Sequence, residues 1–400
     1  MPRSACQPSL FAPGHGASVP RVSSTVGEGR SQRFQAAEFF AGIGLVRQAL
    51  SAADIGVAWA NDIEPVKAAL YAANYPSDHY VVGDVRDTRG WNLPDIDVAT
   101  ASFPCTDLSL AGARRGLAGE QSGMFWEFAR VIEEMESRRP PLLMLENVPG
   151  FASSHGGNDL RDAIAKLNDL GYSCDIFQVD ARNFAPQSRL RLFIIGSREP
   201  LGPRPTKVDP VRPQYLVDFA NTHASLDLHA LPLKLPRPDQ RTLADVAERI
   251  EPDSPLWWDE IRTHRFLWSL SPIQVERLRT LTQDERMAWR TAYRRTRHGV
   301  AVWEIRADAI SGCLRTARGG SSKQAVVEVK EGTIRVRWMT AREYARLQGV
   351  SDEFDFAGLS RNQVMFGFGD AVCVPVVSWI ARTYLATALR RMAGTASLTG

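Results

Sequence analysis

Three short segments put reactive side chains directly at the ends of apolar runs. In Phe103-Pro104-Cys105 a thiol follows the run 97–102 and precedes small and polar residues. A cysteine in such a loop is a candidate nucleophile, although most cysteines are buried and inert. The proline fixes the backbone from which the thiol is aimed. In Glu146-Asn147-Val148-Pro149 a carboxyl follows Pro141-Leu142-Leu143-Met144-Leu145. A carboxyl at an apolar strand end is partly desolvated and suited to hold a proton, unless it caps the strand or pairs with an arginine. In Gln187-Ser188-Arg189-Leu190-Arg191 two guanidiniums share one face of an extended segment, because side chains alternate with period two. They could hold a phosphate or a substrate carbonyl, or form a plain surface pair.

A fourth segment, Phe40-Ala41-Gly42-Ile43-Gly44, follows an expected strand and opens an expected helix. Glycines there allow a sharp turn and close approach to a ligand. The third glycine of a dinucleotide fingerprint and the Lys-Ser/Thr of a P-loop are both missing, so a tight turn explains the segment equally well. Asp62 lies 18 residues beyond Gly44, at the end of the second strand. An acid at about that distance can accept from ribose hydroxyls, and together the two features point to a nucleoside-type ligand. Asp84 could accept from an adenine amine or serve only as a turn residue.

These segments need a frame. Apolar runs at 34–40, 56–60, 79–82, 97–102, 142–146, 172–179 and 190–196 read as strands. Helical patterns lie between them at 45–53, 65–74, 123–137 and 160–170. This alternation predicts an α/β fold with helices on the faces of a mostly parallel sheet. Residues 1–33 lack an apolar period and read as a disordered tail. Proline-rich residues from 199 to 240 mark an expected boundary, and 241–335, rich in Trp and Arg, fit neither template. The expected division is therefore 34–198, a smaller domain at 199–335, a segment at 336–390 with helical patterning at 342–347 and 376–390 that packs back on the first domain, and a tail at 391–400.

Composition sets bounds. The 400 residues are 44% hydrophobic and 23% charged, which excludes wholesale disorder. The most apolar stretch, 371–381, is shorter than the ~18 residues a membrane span needs. The N-terminus shows no signal-peptide core. The expectation is a cytoplasmic protein. Five cysteines without a Cys-x-x-Cys pair indicate neither a disulfide framework nor a metal site. The net charge of +3 identifies no partner, but its distribution does: between 286 and 318 eight Arg face two acids, interleaved with Trp289, Tyr293, His298 and Trp303. Such a strip suits phosphate contacts and groove readout.

The order of these segments resembles the cytosine-C5 DNA methyltransferases. It runs from the glycine turn through Pro-Cys, Glu-Asn-Val, Gln-x-Arg-x-Arg and a variable region to Gly369-Asp370-Ala371-Val372. Residues 337–349 are similar to the segment before the family's last motif. The resemblance implies a Rossmann-like S-adenosylmethionine-dependent methyltransferase sheet, with a smaller target-recognition domain. It implies that Phe40, Gly42 and Gly44 flank the cofactor, that Asp62 takes the ribose and Ile63 packs on the adenine. Asp84 and Val85 would meet the adenine edge, Pro104 would lie near the methionine end, and Asp370 would be a further cofactor residue. Three departures stand out: Asp62 where Glu is more frequent, Thr106-Asp107 where Gln often follows the cysteine, and Asp370 where Asn is usual.

The implied reaction is methyl transfer to C5 of a flipped-out cytosine in a specific duplex DNA sequence. Cys105 would add to C6, Glu146 would donate to N3, and Arg189, with Arg191 beside it, would bind O2. The segment 107–123 would close over the base as a lid. Arg114, Arg115, Gln187, Arg294, Arg295, Arg297, Arg315, Thr316 and Arg318 would contact DNA. The setting expected is a bacterial modification enzyme, monomeric, orphan or paired with a restriction endonuclease acting separately. Alternatives are a tRNA cytosine-5 methyltransferase and a catalytically silent DNA-binding protein on the same fold. An NAD-linked dehydrogenase would leave Pro-Cys and Gln-x-Arg-x-Arg unexplained.

Overall fold

The computed structural model describes residues 33–104, 117, 123–284, 286–297, 299–316 and 323–396. The expectation of a tail at 1–33 and of a lid at 107–123 falls almost wholly outside these residues.

Seven strands form the main sheet: β1 (Phe34–Phe39), β2 (Ile55–Asp62), β3 (Tyr80–Val82), β4 (Val98–Ala101), β5 (Leu142–Asn147), β6 (Ser173–Asp180) and β7 (Leu190–Ser197). Their order is β3-β2-β1-β4-β5-β7-β6. β1 pairs in parallel with both β2 and β4, and β4 with β5, whereas β7 runs antiparallel to β5 and to β6. All seven expected strands are present. Strands buried on both faces read as unbroken apolar runs, and β4 and β5 are buried along their whole length.

The chain leaves β1 toward β2 and β3 on one side and later returns through β4 and β5 on the other. The switch lies between β1 and β4, and ligand crevices open at the carboxyl ends of strands at such a point. α1 (Leu45–Ser51) and α2 (Pro65–Asn74) follow β1 and β2, with Pro65 in the first turn of α2, where its missing N–H costs nothing. α3 (Met124–Glu134) and α4 (Asn158–Asp169) cover the opposite face through Phe125, Phe128, Ile132, Leu160 and Ile164.

The proline-rich stretch after residue 199 packs back on the main sheet before leaving it. It contains α5 (Gln214–Thr222), and Leu228 bridges to Cys174 of β6. Buried Arg212 forms a salt bridge with Asp175 of β6, Nη2 to Oδ2 2.7 Å. α6 (Glu260–Trp268) and α7 (Pro272–Thr282) then lead to a second sheet. Its strands are β8 (Ala288–Arg297), β9 (Val300–Ile305), β10 (Gln324–Lys330) and β11 (Thr333–Trp338), in the order β11-β10-β8-β9, all antiparallel. Trp258, Phe266, Trp303 and Trp338 meet under it.

The closing helices are α8 (Ala341–Leu347), α9 (Arg361–Asp370), α10 (Val374–Ile380) and α11 (Ala386–Ala396), with one π turn at Ala381–Leu385. Thr340 and Glu343 form a capping box at the start of α8, and Glu343 also holds buried Arg337, Nη1 to Oε2 2.8 Å. Two sequence expectations are corrected here. α11 continues to Ala396 rather than giving way to a tail at 391, because Ala388 and Leu389 anchor it in the core. The stretch Arg361–Gly394 is long and apolar enough to cross a membrane, with a mean hydropathy of 1.8 over its most apolar window. That window is 78% buried inside the fold, as a core helix would be.

Candidate active site

The glycine turn leaves β1 through Phe40, whose φ of 56° places a bulky residue in the left-handed region. Gly42 (φ 58°) and Gly44 (φ 82°) complete it. A Cβ on Gly44 would stand 2.7 Å from the Tyr75 ring and 2.8 Å from that of Tyr71, so the position requires glycine. Asp62, at the end of neighbouring β2, accepts from the Gly42 amide at 2.9 Å and from the Glu64 amide at 2.9 Å. The acid therefore fixes the turn as well as facing the crevice. A Cβ on Gly42 would project into this crevice, 3.9 Å from the Lys67 stem and 4.0 Å from the Asp62 carboxylate. Asn61 donates to the Val81 and Gly83 carbonyls and ties the ends of β2 and β3 together.

Ile63, beside Asp62, is 59% exposed. An exposed aliphatic side chain flanking a carboxylate and a glycine turn is the donor set a nucleoside needs: an apolar face for the base and an acceptor for the ribose. Asp84 accepts from the Arg86 amide and ion-pairs with its guanidinium at 2.5 Å, and these hydrogen bonds hold its carboxyl below the usual range. Val85 is buried, so its side chain serves the core and only its backbone can meet an adenine edge. Asp370, at the end of α9, comes to the same crevice: Lys67 Nζ lies 3.3 Å from it and 3.9 Å from Asp62.

Pro104 follows β4 at the adjoining strand end, and Asn147 of β5 donates to the Phe103 carbonyl at 3.1 Å, fixing the root of the Pro-Cys segment. Cys105, Arg114, Arg115, Arg318 and the side chain of Arg297 lie outside the described residues. Because β7 is antiparallel, its first residues fall beside the last residues of β5. This brings Arg191 to Glu146, Nε to Oε1 2.9 Å.

Two residues of the sequence expectation are committed to the core. Arg189 is buried and donates to the Leu314 carbonyl at 2.9 Å and the Ala371 carbonyl at 2.8 Å. Its guanidinium is spent on joining β7 to the segments before β10 and after α9. Gln187 is also fully buried, with its amide donated to the Leu347 carbonyl at 2.9 Å, so it stitches the core and presents no surface to DNA. By contrast, Arg295 and Arg315 are exposed and Arg294 and Thr316 are half-buried. Arg295 stacks over Tyr293 and pairs with Glu304 at 3.2 Å.

Several residues escaped the sequence reading. Lys67 and Asn147 reveal their contacts only in three dimensions. Cys313 sits between the two arginines, its Sγ 3.5 Å from Arg189 Nη1 and 3.7 Å from Arg191 Nη2. Burial pushes this thiol up, but the guanidiniums of Arg191 and Arg189 prevail and hold it below its ordinary value. Glu38 of β1 is fully buried, and neither of its oxygens reaches a hydrogen-bond partner. Burial pushes its carboxyl up to about 8, against the opposing pull of Arg47. A charged residue within an apolar strand was the available signal.

Known proteins are similar to this chain in sequence and in fold. The model of the family described as C-5 cytosine-specific DNA methylase matches residues 34–386. Type II methyltransferase M.Bsp6I of Bacillus sp. (strain RFL6) is 26% identical over 359 residues, covering 87% of this chain and 97% of its own. Type II methyltransferase M.HhaI of Haemophilus parahaemolyticus is 29% identical over 165 residues, 41% of this chain and 49% of its own. The fold is similar to that of S. pombe Dnmt2 methyltransferase, with a TM-score of 0.58 at 16% identity, across 89% of this chain and 99% of that one. With the model matched from the first strand of the main sheet to the start of the last helix, the chain belongs to the C-5 cytosine-specific DNA methylase family.

Proposed function

We propose that this enzyme methylates C5 of a flipped-out cytosine in a specific duplex DNA sequence, with S-adenosylmethionine as donor and through a covalent bond between Cys105 and C6. The observation that carries the reading is the Glu146–Arg191 pair, 2.9 Å apart, at the same sheet edge as the Pro104 turn and the Asp62 crevice. Residues 34–198 form the catalytic part, 199–335 the target-recognition part and 336–390 the closing segment.

The crevice fits the donor: Asp62 would take the ribose, Ile63 the adenine face, and the Gly42–Gly44 turn would leave room for the rest. When bound, the donor supplies an electrophilic methyl group. The protein's own residues make C5 able to accept it. The Cys105 thiolate adds to C6, and the ring electrons move toward N3 and O2. Glu146 meets N3, through a proton taken up with the base, and the exocyclic amine, while Arg191, its ion-pair partner, donates to O2. Charge is thus met where it develops. Arg191 takes the role first assigned to Arg189, because Arg189 is committed to backbone carbonyls. After C5 is methylated, a base removes its proton, the C5–C6 double bond re-forms and Cys105 leaves.

A base stacked in a duplex offers neither ring face to a thiol, so flipping is required, at a few kcal/mol. Arg294, Arg295 and Arg315 supply phosphate and groove contacts. The setting proposed is a bacterial cytoplasm, with a monomeric enzyme that is either an orphan or accompanied by a restriction endonuclease acting separately. The test is methyl transfer to duplex DNA and to tRNA, with nucleosides analysed by mass spectrometry and 5-methylcytosine mapped in a host genome. The expected product is 5-methylcytosine at one DNA sequence. Methylation of tRNA alone, or of no nucleic acid, overturns the reading.

A further inference from the structure

A carboxylate at the C-terminal end of a helix is unfavourable, because the last carbonyls already carry negative charge. Asp370 occupies that place at the end of the ten-residue helix α9. Across the crevice Asp62 adds a second carboxylate, nearly buried. Lys67, on the first turn of α2, lies between them: its Nζ is 3.3 Å from Asp370 and 3.9 Å from Asp62. The lysine side chain is only 13% exposed, so its ammonium is held in place by these two acids and by the Phe366 ring, 5.4 Å away. Helices α2 and α9 also pack through Gly367, where a Cβ would stand 2.7 Å from Ile43 and 3.1 Å from Leu70. A second tie joins α2 to the segment before α9: Asn74 donates to the Asp355 carbonyl at 2.9 Å and accepts from its amide at 2.8 Å.

We propose that Lys67 is a positioning residue of the donor crevice, which joins the carboxylates of Asp62 and Asp370 and so makes an acid at position 370 compatible with donor binding. Without the ammonium, two like charges face each other across the crevice, and the end of α9 loses the cation that offsets its own dipole. Asp62 then no longer presents its carboxylate at the place set by the Gly42 amide. The pair is charge-matched: an amide at 370 would make the lysine dispensable, whereas a carboxylate at 370 requires it. This inference rests on the reading that the crevice holds S-adenosylmethionine.

The test is a double-mutant cycle on the full chain, read as S-adenosylmethionine dissociation constants by calorimetry, with unfolding temperatures measured in parallel without donor. Lys67→Met is expected to weaken binding about tenfold, the factor that a coupling energy of this class produces. Asp370→Asn should weaken it less, and the double variant should bind as Asp370→Asn does. Lys67→Arg, which keeps the charge, should stay close to wild type. Asp370→Lys, on an exposed helix end, places two cations together and should weaken binding even if Lys67→Met fails to fold. A lysine that served only to stabilise the fold would lower the unfolding temperatures and leave donor affinity unmoved. That result, additive effects in the cycle, or an Asp370→Lys variant that binds like wild type overturns the proposal alone. A wild-type chain that binds no S-adenosylmethionine overturns the functional reading, and this inference with it.

Discussion

Glu38 is a buried acid in the strand that leads into the glycine turn, and replacing it with glutamine should stabilise the protein in a pH-dependent way. Its carboxyl is raised from an ordinary 4.5 to about 8, first by burial and further by the nearby Asp62 charge, with Arg47 opposing. Below pH 4.5 the carboxyl is protonated in both the folded and the unfolded chain and costs nothing. As pH rises, the unfolded chain releases its proton first, so stability falls until the folded group also ionises near 8. Each pH unit between those limits costs about 1.4 kcal/mol, which comes to about 3 kcal/mol at pH 7. Glutamine has the same shape and no charge to bury. Glu38→Gln should therefore unfold at the same temperature as wild type near pH 4.5, and at a progressively higher one up to pH 8, measured without donor. A difference constant with pH, or a variant less stable than wild type at pH 8, would refute the argument.

Other expectations follow from the site. Arg191→Ala should lower the methylation rate at least about 100-fold, since a donor aimed at developing charge is lost. Arg189→Ala should instead cost about 3 kcal/mol or more in stability, because buried carbonyls of Leu314 and Ala371 lose their donor. Equal effects of the two substitutions on rate and stability would contradict this division. Gly44→Ala should destabilise by about 2 kcal/mol and weaken donor binding, because φ there is 82° and the new methyl meets two tyrosine rings; calorimetry reads both. Arg294→Ala and Arg295→Ala should each reduce the slope of log DNA affinity against log salt by about one, with non-specific DNA affected alike. An unchanged slope removes those residues from the DNA interface.

The main sheet was legible because its central strands, β4 and β5 above all, are buried on both sides and leave unbroken apolar runs. The second sheet was not. β8 reads Ala-Trp-Arg-Thr-Ala-Tyr-Arg-Arg-Thr-Arg, in which arginine stems cover apolar surface and hide the alternation. Elsewhere in that region Arg262 lies over the Trp258 ring at 4.2 Å, the same device. The site was legible as a set of motifs because each lies at a strand terminus on one edge of the sheet, after β1, β2, β4 and β5 and at the start of antiparallel β7. Their division of labour was not. The spacing of Arg189 and Arg191 puts both on one face, but only the fold shows that the Leu314 and Ala371 carbonyls return to capture one of them. Lys67 was invisible for the same reason: its partners lie 5 residues before it and 303 residues after it.

Covalent trapping tests directly whether Cys105 bonds to the base. Duplex DNA carrying 5-fluorocytosine at the methylation site is incubated with enzyme and S-adenosylmethionine, and the protein is digested and sequenced by mass spectrometry. Fluorine replaces the proton that must leave C5, so the adduct cannot resolve. The expected result is a stable enzyme–DNA complex joined through Cys105 and absent from Cys105→Ala. Methyl transfer without such a complex, or a complex joined through Cys313, would contradict it.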